Sequence, residues 1–139
     1  MATFISHSPA ETESLGERIG RKAHHGLVIA LSGELGAGKT QFVRGVARGL
    51  GISNRVHSPT FTLVNEYGGG RLKLFHLDLY RLETAAQVWS AGIDEFLSPD
   101  GVAVIEWAER LEDGSKFAQV KLEVLSETER KIIYDNPGL

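Results

Sequence analysis

Apolar positions along the 139-residue chain recur with two different periods, and each change of period marks an element. Thr3–Phe4–Ile5–Ser6 has the length of a short strand. Ser8–Pro9–Ala10–Glu11 then has the composition of a helix start, with Ser8 as N-cap, Pro9 at the first helical position and Glu11 completing a capping box. Leu15, Ile19 and Ala23 give the helix that follows an apolar stripe, so one face packs on a sheet. His24–His25–Gly26 ends it. Adjacent histidines do not share a helix face, so they read as caps on the helix C-terminus and not as a metal site. Leu27–Leu31 is a continuous apolar run, the pattern of a strand buried on both faces. Phe42, Val43, Val46, Ala47 and Leu50 return to helical spacing, with Gly49 and Gly51 as stop signals.

The second half alternates shorter elements. Gly51 to Thr60 is polar and interrupted by Pro59, hence a loop. Phe61 to Tyr67 and Arg71 to Tyr80 read as strands joined through Gly68–Gly69–Gly70, most simply antiparallel. On the second, Leu72, Leu74 and His76 share one face and Lys73, Phe75 and Leu77 the other, so both faces are covered. Glu83 to Ala91 is a helix candidate with Ala85, Val88 and Trp89 on its apolar side. Ser98–Pro99–Asp100–Gly101 is a turn, and Val102 to Glu106 is an apolar strand closing on a carboxylate. Trp107 to Leu111 reads as a short helical turn. Ala118–Leu125 and Lys131–Tyr134 form a last hairpin.

Composition narrows this little. Hydrophobic residues make up 42% and charged residues 24%, as in ordinary globular proteins. A formal charge of -3 provides no general basic footprint for autonomous nucleic-acid binding. The absence of cysteine excludes disulfides and thiolate metal sites. No apolar run reaches membrane-spanning length, and Met1–Ile5 lacks the features of a signal peptide. The expectation is one domain over residues 1–139, cytoplasmic, with no membrane contact.

The chemistry is concentrated between the first buried strand and the second helix. Gly33–Glu34–Leu35–Gly36–Ala37–Gly38–Lys39–Thr40 matches the Walker A pattern G-x-x-x-x-G-K-[ST] at every fixed position. Glycines let the backbone turn its N–H groups inward into an anion-binding nest. Lys39 brings an ammonium to the β- and γ-phosphates, Thr40 offers a hydroxyl to Mg²⁺, and the helix start points its positive dipole end at the same place. Strand, loop and helix follow in the required order. The chain is therefore expected to bind a nucleoside phosphate through Glu34, Gly36, Ala37, Gly38, Lys39, Thr40 and the adjoining Gln41. The expected fold is α/β, a P-loop NTPase-like three-layer sandwich with a mixed, mainly parallel central sheet and an antiparallel hairpin portion.

Four further candidates each carry two readings. Glu106, a carboxylate after four apolar residues, is either a Mg²⁺ ligand at the end of a strand beside the P-loop strand or a solvated strand terminus. Asp78 either polarises water or pairs with Arg81. Ser58–Pro59–Thr60 is either a switch-like loop around the γ-phosphate or a plain turn. Trp107 is either core or surface.

Together these stretches resemble the TsaE (YjeE) family of small P-loop ATPases. The likeness runs through Gly33–Thr40, His57–Ser58–Pro59–Thr60–Phe61–Thr62–Leu63–Val64, His76–Leu77–Asp78–Leu79–Tyr80–Arg81–Leu82, Gly92–Ile93–Asp94–Glu95–Phe96 and Ile105–Glu106–Trp107. Ala108 departs from it where many members have proline. The resemblance implies hydrolysis of ATP with Mg²⁺, slow alone and stimulated by a TsaD–TsaB pair. That pair carries out the threonylcarbamoyl modification of tRNA adenosine, so tRNA is reached only indirectly. It further implies Thr40 and Glu106 as Mg²⁺ ligands, Lys39 on the phosphates, Asp78 as a residue needed for hydrolysis, and Ser58 and Thr60 in the switch-like loop. Trp107 would lie near the nucleotide or the partner, and Pro9, Thr12 and Arg130 near the adenine. Three alternatives compete. A small-molecule or nucleotide kinase would use the same loop but needs a lid and an acceptor pocket, for which little chain remains. A GTPase would need an Asn-Lys-x-Asp segment, which the sequence lacks. A nucleotide-dependent assembly module with residual hydrolysis merges with the family reading.

Overall fold

The computed structural model describes residues 2–34, 36–53, 56, 64–80, 82–90, 92–97, 99–108 and 117–135. In chain order these form β1 (Ala2–Ser6), α1 (Pro9–Lys22), β2 (Val28–Ser32), α2 (Lys39–Gly49), β3 (Val64–Tyr67) and β4 (Leu74–Asp78). Then follow α3 (Ala85–Ser90), a 3-10 helix (Ile93–Leu97), β5 (Val102–Glu106), β6 (Ala118–Val124) and β7 (Arg130–Tyr134). The strands make one sheet in the order β1-β7-β6-β2-β5-β4-β3. Its interior is parallel, β6 with β2, β2 with β5 and β5 with β4. Its margins are antiparallel: β3 on β4, β7 on β6 and β1 on β7. The mixed sheet and both hairpins agree with the sequence reading. No helix among the described residues is long and apolar enough to cross a membrane.

Strand alternation divides the interior into two cores. Ile29 and Leu31 of β2, Val102 and Val104 of β5 and Leu74 of β4 pack with α1 and α2 through Leu15, Ile19, Phe42, Val43 and Val46. Val28, Ala30, Ala103, Ile105, Phe75 and Leu77 face the other way, onto Ile93 and Ala108, with Phe96, Leu97 and Trp107 at the margin. Helices on both faces are what allow the central strands to be apolar throughout.

The helical layer is unusually close, and glycine is the reason. A Cβ placed on Gly45 of α2 would lie 2.0 Å from Glu13 O of α1, and one on Gly49 2.2 Å from Glu17 O. From the opposite side, a Cβ on Gly16 would meet Phe42 O at 2.3 Å, and one on Gly20 would meet Val46 O at 2.3 Å. The two helices touch backbone to backbone along this seam. Glycine inside a helix costs about 1 kcal/mol relative to alanine, and here the close approach offsets it.

Two helix-end expectations need correction. Ser8 Oγ accepts the Glu11 N–H at 3.2 Å as a cap should, but Glu11 Oε1 accepts from His7 N–H at 3.0 Å and not from Ser8. The reciprocal arm of the capping box thus reaches one residue further out. At the other end His24 and His25 do not cap α1. Arg71, from the β3–β4 connection, donates to Gly20 O at 2.9 Å and Arg21 O at 3.1 Å. One guanidinium nitrogen, Nη2, thus serves two carbonyls at the negative end of the helix. His25 Nε2 instead lies 3.0 Å from Asp100 Oδ1.

Ser58 and Thr60, the proposed pairing of Asp78 with Arg81, Leu35 of the glycine loop, the first part of the expected Phe61–Tyr67 strand and most of the Trp107–Leu111 turn lie outside the described residues.

Candidate active site

Three parallel strands end at one place. β2 runs into the glycine loop, β5 lies beside β2 with Leu31 opposite Glu106, and β4 lies beside β5 with Asp78 opposite Glu106. Side chains alternate along a strand, so Asp78 and Glu106 emerge on the α2 side, facing the loop.

The loop is held open at its helix end. Gly36 and Gly38 have φ of 80° and 96°, the left-handed region that a side chain resists. Gly38 is the N-cap of α2 and no side chain caps that helix. Its first-turn N–H groups therefore face outward as a group suited to an anion. Ala37 N–H donates to Glu34 O at 3.0 Å and tightens the bend. Glu34 is exposed on the rim, Thr40 is half-buried in the first turn of α2, and Gln41 accepts from Arg44 Nη1 at 3.1 Å on its own helix.

Lys39 is buried, with Nζ donating to Gly33 O at 2.8 Å, 3.9 Å from Glu106 Oε1 and 4.8 Å from the centroid of the Trp107 ring. Glu106 is only 4% exposed, which removes the solvated-terminus reading. Its second oxygen, Oε2, is hydrogen-bonded to His76 Nε2. A buried carboxylate needs such partners, because burial without them is costly. Asp78 is half-buried and accepts the Tyr80 N–H on Oδ1 at 3.0 Å. Burial pushes its carboxyl above the ordinary aspartate range, with neighbouring Glu106 pushing the same way and the Tyr80 N–H opposing.

Trp107 is partly core and partly contact. It packs at the edge of the second core, yet its ring faces Lys39 and lies 5.0 Å from the ring of exposed Tyr80. Its φ of 61° is the one positive value at a non-glycine among the described residues, and such outliers collect at functional sites.

The remaining candidates divide. Arg130 reaches the loop: Nη2 donates to Gly36 O at 3.1 Å, while Nη1 donates to Ser126 O at 2.7 Å and Glu129 O at 2.9 Å. Thr12 lies beneath the loop, buried, its hydroxyl 2.7 Å from Ser6 Oγ, with Cγ2 3.9 Å from where a Cβ on Gly38 would stand. Pro9 is exposed at the start of α1. The residue that sequence reasoning passed over is His76. Its place on the Leu72–Leu74–His76 face is visible in the strand pattern, and a histidine alternating with Asp78 on that face was the available signal.

Comparison with known proteins bears on the chain as a whole. The family model described as "Threonylcarbamoyl adenosine biosynthesis protein TsaE" matches residues 6–132. A Treponema pallidum protein named tRNA threonylcarbamoyladenosine biosynthesis protein TsaE is 42% identical over 130 residues, covering 92% of this chain and 96% of its own. A Bacillus subtilis protein of the same name is 38% identical over 135 residues, covering 94% and 83%. The crystal structure of Bacillus subtilis YdiB superposes with a TM-score of 0.79 at 34% identity, covering 96% of this chain and 83% of that one.

Proposed function

The chain belongs to the TsaE family, and we propose that it binds ATP with Mg²⁺ and hydrolyses it in support of tRNA threonylcarbamoyladenosine formation by a TsaD–TsaB pair. The observation that carries this is the convergence of Lys39, Glu106 and Asp78 on the glycine loop. The fit of the absent nucleotide rests on the uncapped start of α2 and the positive-φ glycines. Among the described residues no three His, Cys, Asp or Glu gather as a metal cage. The donors at hand suit an ion held by one or two carboxylates, a hydroxyl and phosphates.

In this reading Lys39 would turn from Gly33 O to the phosphate oxygens, and Thr40 and Glu106 would hold the metal, which would supply neutralisation of charge on the phosphoryl oxygens. Asp78 orients the attacking water. Since Oδ1 is taken by the Tyr80 N–H, Oδ2 is the atom that receives the proton, and a carboxyl raised above its ordinary range is better matched to that task. Ser58 and Thr60 are assigned the role of a switch-like loop, and exposed Tyr80 with half-buried Trp107 is the pair offered to the partner. Arg130 and Thr12 support the loop beside the adenine, with Pro9 further out. The modest acidic charge suits a cytoplasmic, single-domain protein that reaches tRNA through others.

Phosphate release tests the reading. The isolated protein is expected to turn over ATP slowly and to accelerate on addition of a TsaD–TsaB pair, which it should retain in a nucleotide-dependent pull-down. Rapid phosphorylation of an added metabolite, or no response to the pair, would overturn it.

A further inference from the structure

His76 is fully buried in the middle of β4, yet it has no apolar role that a leucine could not fill better. Its Nε2 meets Glu106 Oε2, and its Nδ1 is buried without a hydrogen-bond partner among the described residues. An unpaired N–H there would be the more expensive defect, so the proton belongs on Nε2 and the ring donates to the carboxylate. Glu106 thereby has one oxygen occupied and the other, Oε1, turned toward Lys39 at 3.9 Å.

We infer that His76 is a positioning residue: by holding Oε2 it aims Oε1 of Glu106 at the phosphate and metal site. The inference rests on the ATP-and-Mg²⁺ reading above. It explains why a buried strand carries an imidazole, and why Glu106 tolerates a site almost without solvent. His76 touches neither substrate nor metal and acts only through Glu106.

The test uses Mn²⁺ as a spectroscopic probe together with a non-hydrolysable ATP analogue. His76→Phe fills the space without a donor, whereas His76→Gln keeps an N–H donor near the position of Nε2. Electron paramagnetic resonance titration should find Mn²⁺ affinity about 10–100-fold weaker in His76→Phe and largely restored in His76→Gln. Binding of the analogue in EDTA should be unchanged in both. In a Glu106→Gln background His76→Phe should add no further loss. If His76→Phe does not fold, His76→Asn, whose shorter amide draws the donor away from Glu106, replaces it with the same expected loss. Wild-type Mn²⁺ affinity in the donor-free variant, or a full additional loss in the Glu106→Gln background, would overturn the inference while leaving nucleotide binding intact. Failure of the wild-type protein to take up Mn²⁺ with the analogue would instead overturn the parent reading, and this inference with it.

Discussion

Asp78 and Glu106 face each other in register at the ends of adjacent parallel strands, yet their surroundings have little in common. Glu106 is buried and has a partner for each oxygen, His76 for one and Lys39 for the other. Asp78 is half-buried, spends one oxygen on the Tyr80 N–H and is pushed toward its protonated form by the burial that remains uncompensated. The first is a fixed carboxylate built into the frame. The second is a half-paired one whose burial works against the folded state. Two acids on neighbouring interior strands can thus divide the work of a metal ligand and a proton acceptor through environment alone.

That contrast can be broken most directly at Glu106. Glu106→Ala removes the proposed metal ligand and is expected to lower hydrolysis by about 10³-fold or more. It should also destabilise the protein by about 1–3 kcal/mol, because the His76 N–H is left buried and unpaired. Phosphate release and thermal melting read the two losses. A variant that hydrolyses ATP at the wild-type rate would remove Glu106 from the site.

Asp78→Asn should behave differently. Hydrolysis falls by about 10²-fold for want of a proton acceptor, but stability at neutral pH should rise. Asn keeps an oxygen for the Tyr80 N–H and never ionises. A loss of stability comparable to that of Glu106→Ala would collapse the distinction between the two acids.

The smallest effect is the pH dependence of that gain. The Asp78 carboxyl lies above its ordinary 3.8 in the folded protein, so folding favours the protonated form. Its contribution is fully present below the unfolded value and is lost as pH rises through the folded one. The advantage of Asp78→Asn over wild type should therefore grow from acid to neutral pH and vanish below the ordinary aspartate range. An advantage that is constant with pH would have another origin.

What could be read in the sequence follows the reach of each interaction. The β2 strand, the glycine loop and α2 are contiguous, and period, glycine placement and capping are local properties. The same holds for Ser8 as N-cap and for both hairpins. The capping of α1 by Arg71 was missed because its donor is some fifty residues away in sequence, and the adjacent histidines were the nearer but wrong answer. The helix seam was missed for a related reason: Gly16, Gly20, Gly45 and Gly49 look like weak helix formers until the two helices are laid together. In the candidate site, the nearness of Lys39 and Asp78 to Glu106 was foreseeable from motif and strand ends. The His76–Glu106 bond was not, since a buried histidine on an apolar face announces a partner without naming it. Burial also ruled out a solvated end for Glu106, where a terminal carboxylate by itself permits either environment.

The central claim is that the glycine loop and Lys39 form a nucleotide site. Calorimetric titration of Lys39→Ala against wild type with Mg²⁺ and ATP tests it most directly. One saturable site is expected in the wild type and an affinity at least about tenfold weaker in the variant, with thermal melting confirming that the variant is folded. Equal affinity in the two proteins would contradict it.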